Sequence, residues 1–175
     1  MHLFPNTDAM TDPVARGRFW PALRHFWSDV RVDGWQEALS GEQSADALSN
    51  LMTVGSNVRG YWERALFALK PLELSEDGKC LRTQFFWLRR LTKPSVWDEP
   101  AKEGTLLERL EARLGRAKLW DTITERKIVS GDVVVLKTTD PEKYPLPSIA
   151  LLDMMWVLNR VASISSFSNF GELDD

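Results

Sequence analysis

The residues best suited to chemistry lie between Lys79 and Lys93, in the run K-C-L-R-T-Q-F-F-W-L-R-R-L-T-K. It holds five cations, three adjacent aromatics and no carboxylate. Cations of this kind neutralise phosphates, and a neighbouring aromatic face can stack a base. The candidate nucleic-acid-binding residues are therefore Arg82, Phe86, Trp87, Arg89, Arg90 and Lys93. The same letters also suit a core strand. In that reading Phe85 and Trp87 are buried, and the arginines pair with acids such as Glu73, Glu76, Asp98 or Glu99.

Nothing comparable points to catalysis. His2 lies near the start of the chain, and His25 has Asp29 four residues on, a spacing that usually marks a surface ion pair. The carboxylates form no box at metal-ligand spacing, so no metal and no cofactor is expected. Gly55 to Gly60 lacks the strand and the Lys-Ser/Thr of a phosphate loop. Asp153 stands apart, because it sits in a nearly continuous apolar run. A buried carboxylate without a partner is costly, so a structural bond to Arg160 or to an arginine on another element is expected.

The chain carries eight Trp in 175 residues. Trp is enriched where a flat apolar face meets a protein partner. Trp35, after a glycine, and Trp97, in a proline-flanked loop, are the candidate partner-docking residues. Mixed charges at Glu108, Arg109, Glu111, Arg113, Arg116 and Lys118 read as a solvated helix face. Followed by a hairpin, that helix also has the outline of half a winged helix-turn-helix, with Arg113, Arg116 and Lys118 towards DNA and Lys127 at the wing.

Thr83-Gln84-Phe85-Phe86-Trp87-Leu88-Arg89-Arg90, then Val96-Trp97, and later Leu151-Leu152-Asp153 with Leu158-Asn159, together resemble a family of uncharacterised small proteins of integrating conjugative elements. The match covers about a third of the chain, and Lys93-Pro94 departs from its pattern. The resemblance implies a mobile-element setting and transfers no catalytic residue.

Composition bounds the rest. An apolar fraction of 43% supports a real core, and a net charge of −3 gives no global attraction to polyanions. The single cysteine, Cys80, excludes an internal disulfide and fits a cytoplasmic setting. No secretory leader is visible. The most apolar run, Ile149 to Ile164, is 16 residues long, short of the roughly 20 a bilayer core needs.

The spacing predicts an α+β protein of about four helices, with two β-hairpins forming a small antiparallel sheet and a buried C-terminal helix. Residues 1–12 read as a flexible arm, 13–166 as one domain and 167–175 as a frayed tail. Phe19, Leu23, Phe26, Trp27 and Val30 share one helical face, which Asp33-Gly34 would end. A second helix is predicted from Ser44 to Leu69, closed by Lys70-Pro71. Hairpins are predicted around Glu76-Asp77-Gly78 and around Ser130-Gly131-Asp132, with Thr105 opening a helix between them. The last helix should run from Ser148 to about Ser165. The function this supports is a non-catalytic accessory protein, contacting DNA or RNA through the basic strand within a larger assembly. The alternative is an adaptor that docks a partner protein, or a second copy, through exposed Trp and helix faces.

Overall fold

A computed structural model describes residues 1–4, 13–39, 48–88 and 117–165. Four α-helices and three strands are found there: α1 (Pro13–Arg24), α2 (Asp29–Leu39), α3 (Ser56–Glu63), β1 (Phe67–Leu74), β2 (Cys80–Trp87), β3 (Val133–Lys137) and α4 (Ile149–Ser165). The strands form one antiparallel sheet in the order β1-β2-β3. The protein is α+β, as its patterning predicts, and α4 packs chiefly along β1.

The β1–β2 hairpin turns where expected. Gly78 adopts φ 68°, a left-handed conformation that glycine reaches without steric cost. The Ser75 hydroxyl and the Lys79 amide both donate to the Asp77 carboxylate. These bonds hold that carboxyl below its ordinary range, the Ser75 bond contributing most. Leu81, Thr83 and Phe85 are buried, whereas Arg82 is exposed and Gln84 and Phe86 are half-buried. This is the alternation a one-sided strand requires. β3 joins β2 directly from the Gly131 turn. Ile128 and Val129 lie outside the sheet, and Ile128 donates to the Leu119 carbonyl in a separate short ribbon where Trp120 pairs with Lys127.

Two helix predictions are corrected. The stripe from Phe19 to Val30 is not one helix: the chain turns at His25–Ser28, and the Ser28 carbonyl accepts the first amides of α2 from Arg31 and Val32. The turn leaves Phe26 and Val30 facing solvent, and α2 continues through Gly34 instead of ending there. The long helix predicted to Leu69 is confined to Ser56–Glu63. At Ala65 the backbone takes φ 50°, the Leu66 amide donates to the Tyr61 carbonyl, and the chain enters β1. Phe67, Ala68 and Leu69 are all buried, so the start of this strand is covered on both faces and its sequence there lacks the period-two signal. Pro71 lies within β1, beside a break in register between Pro71 and Glu73. Edge strands and bulges are the places where a sheet tolerates proline.

The first residues of the expected arm are also corrected. Leu3 is fully buried, its amide bonds the Asn50 carbonyl at 2.7 Å, and its carbonyl accepts the Trp62 indole N–H at 3.1 Å. Phe4 exchanges two bonds with the Asn50 side chain, each 3.0 Å. The helix predicted after Thr105 and the tail from Ser166 lie outside the described residues. No described helix is long and apolar enough to cross a membrane.

α4 organises the core. Its buried residues include Leu151, Leu152, Met154 and Met155, and the Asn159 side chain donates to the Phe67 carbonyl. Burying a Leu or Met side chain contributes about 1.5–3 kcal/mol, so this face fixes where the opposite face of α4 must point.

Candidate functional site

The strand β2 holds three of the six predicted nucleic-acid-binding residues, and the fold engages each separately. Arg82 is exposed but meets Glu73, its cross-strand partner, at 2.6 Å. The Trp87 indole donates to the Ile128 carbonyl at 3.1 Å, and its ring lies edge-on to Phe85 at 5.0 Å. Phe86 emerges on the other side of the strand and packs on Trp156 of α4, with ring centroids 4.9 Å apart. Arg89, Arg90, Lys93 and Trp97 lie outside the described residues.

Trp35, expected at a docking surface, is a core residue with only 1% of its surface exposed. Because α2 runs through Gly34, Trp35 faces α4 and donates its indole N–H to Asp153 at 2.9 Å. Arg31, one helical turn earlier, binds both oxygens of the same carboxylate at 2.8 and 2.6 Å. Its guanidinium also lies 5.3 Å from the Trp35 ring centroid. The hydrogen bond to Asp153 raises the Arg31 pKa above its ordinary value. Of the two partners expected for Asp153, Arg160 or an arginine on another element, the structure supplies the second, Arg31.

One turn further along α4 the surroundings change. Trp156, Val157, Arg160 and Val161 follow Asp153 at steps of three, one, three and one, which places them on one side of the helix. With Trp27 and Arg31 they line an open groove of about 270 Å³. The Arg160 guanidinium sits 4.8 Å from the centroid of the Trp156 ring. Such a stack leaves the N–H fork free at its edge, in the geometry that grips a carboxylate. Arg160 is exposed and forms no ion pair among the described residues. Val161 supplies an exposed apolar rim.

Asp29, the acid expected to face His25, instead accepts from Arg24 at 3.0 Å, and Arg24 also binds Asp33. Among the described residues no three His, Cys, Asp or Glu side chains gather as a metal ion would require. Of the groove residues, the sequence marked Trp27 only as part of a helical stripe and Arg160 only as a possible partner of Asp153. The available signal was a Trp and an Arg four apart on a mostly apolar helix.

Compared with protein-family models, with curated proteins and with solved structures, the chain matches none.

Proposed function

We propose that the protein is a non-catalytic docking subunit that binds a partner protein in the groove between α2 and α4. The observation that carries this reading is Arg160 stacked on Trp156 beside Trp27, with no acid to neutralise it among the described residues. Trp and Arg in a recessed, partly apolar setting are the residue types that dominate protein interfaces when truncated. The groove also has a rigid floor, since the Arg31–Asp153–Trp35 bonds tie α2 to α4.

The polyanion reading has less behind it. Arg82 is met by Glu73, and Phe86 and Trp87 are occupied by contacts within the fold. What remains of it is Arg89, Arg90 and Lys93, in a setting of DNA or RNA handling by a mobile element.

Two titrations separate the readings. The tagged full chain isolates its partner, and affinity is then compared for the natural sequence, Trp156→Ala and Val161→Lys. A loss of tenfold or more in both variants, about 1.4 kcal/mol, is expected at a hot spot. A fluorescent single-stranded oligonucleotide is titrated in parallel at two salt concentrations. Tight binding that falls steeply with salt, is abolished by Arg89→Ala with Arg90→Ala, and ignores the groove variants would overturn the docking reading.

A further inference from the structure

The two edges of the sheet are built differently. β1 carries Pro71 with the break in register beside it, and α4 packs along it. Proline, a bulge and a covering helix are devices that keep an edge from pairing with another chain. β3, at the other edge, reads V-V-V-L-K, mostly β-branched, with no proline, no break in register and one charge at its end.

The outward backbone of β3 is open as well. The Phe85 amide donates to the Asp132 carbonyl, and the Thr138 amide donates to the Lys79 carbonyl. Between them Val134 lies opposite Thr83, and Leu136 opposite Leu81. Hydrogen-bonded pairs alternate along an antiparallel ladder, so Val134 and Leu136 turn their amides and carbonyls to β2. Val133, Val135 and Lys137 turn theirs away from it, and among the described residues these groups meet no partner. The Val133 and Val135 side chains are exposed on one face, while Val134 and Leu136 pack against the core on the other.

This edge is its own antiparallel complement. Centred on Val135, a second copy sets Val135 against Val135 and each Val133 against Lys137, giving about six backbone bonds, two per hydrogen-bonded pair. Only this register engages all three outward residues of both copies. It opposes no like charges, and it lays Val134 beside Leu136 of the second copy, extending the apolar face.

We propose that β3 is a homodimer interface, at which two copies join their sheets by antiparallel β3–β3 pairing about a twofold axis at Val135. Such a contact uses the same patch on both copies and closes at two. It goes beyond the groove reading and does not depend on it.

Sedimentation velocity of the full chain should show a dimer that grows with concentration and stops at two copies. Val135→Pro removes an outward amide but no bond to β2, so it should abolish the dimer and leave the circular dichroism intact. Val133→Lys opposes Lys137 of the second copy at two symmetric places and should weaken the dimer about tenfold. Adding Lys137→Glu should restore it. Should Val135→Pro unfold the chain, this charge pair alone decides. Disulfide capture fixes the register. In a Cys80→Ser background, Val135→Cys brings two Cα atoms to about 5.5 Å, within reach of a disulfide, whereas Val133→Cys leaves them about 14 Å apart. Oxidation should therefore cross-link the first variant and spare the second. A chain monomeric up to about 1 mM, a dimer indifferent to Val133→Lys, or equal cross-linking at both positions would overturn the proposal. A dimer lost with Trp156→Ala instead would place self-association in the groove, so this proposal would fail while the docking reading stood.

Discussion

Arg31 and Arg160 line the same groove, yet the fold treats them differently. Arg31 delivers two hydrogen bonds to Asp153, which also accepts from Trp35, so its charge is neutralised within the protein. Arg160 rests on the Trp156 ring and meets no acid among the described residues. The first arrangement joins two helices whose contact the core depends on. The second adds little to stability, because an exposed cation–π contact contributes about 0.5–1 kcal/mol at most. The lesson is that similar residue types lining one groove can divide between holding the fold and meeting something outside it. The division is set by whether a partner acid is built in.

Breaking the closed side should cost most. Trp35→Ala removes a buried indole and leaves Asp153 one donor short, and should lower stability by about 3–5 kcal/mol in urea denaturation. Asp153→Ala strips both Arg31 and Trp35 of their acceptor. Arg31 remains partly open to water, so the expected loss is smaller, about 2 kcal/mol, with Asp153→Asn intermediate. A thermal shift series over the three variants checks the order. Equal effects would mean that the carboxylate bonds contribute nothing beyond packing.

A smaller effect sharpens the contrast between core and surface electrostatics. Asp77 is fully exposed, and its carboxyl is held below its ordinary 3.8 by the Ser75 and Lys79 bonds. A carboxyl lowered in the folded state stabilises it above its unfolded pKa, and that contribution disappears as pH falls through the folded value. Asp77→Asn should therefore weaken the hairpin at neutral pH and become neutral in effect at pH well below 3.8. Denaturation midpoints at the two pH values report the difference. A penalty that persists in acid would show the bonds do not depend on ionisation.

Some of this organisation is legible in the sequence. α4 begins within a residue of its expected start, because Pro147-Ser148 precedes a nearly continuous apolar run. The β1–β2 turn was marked by Asp77-Gly78. The Asp153 anomaly marked a bond to an arginine, either Arg160 on the same helix or one on another element, without deciding between them. The errors come from competing local rules. Phe19 to Val30 satisfies helical spacing, but a turn at Ser28 redirects the chain, so Val32 and Trp35 enter the core and Phe26 and Val30 do not. Leu66 and Leu69 complete a helical stripe equally well, whereas Phe67 to Leu69 make the buried start of a strand, and the reversal at Ala65 decides between them. The groove was least legible. It exists only because α2 lies beside α4, a contact between positions more than a hundred residues apart.

The central claim, that one arginine of the groove serves the fold and the other is held for a ligand, is tested most directly by measuring Arg31→Ala and Arg160→Ala side by side in urea. Arg31→Ala should lose about 2 kcal/mol, and Arg160→Ala should stay within about 0.5 kcal/mol of the natural chain. Equal losses would contradict the account, since Arg160 would then be as much a part of the scaffold as Arg31.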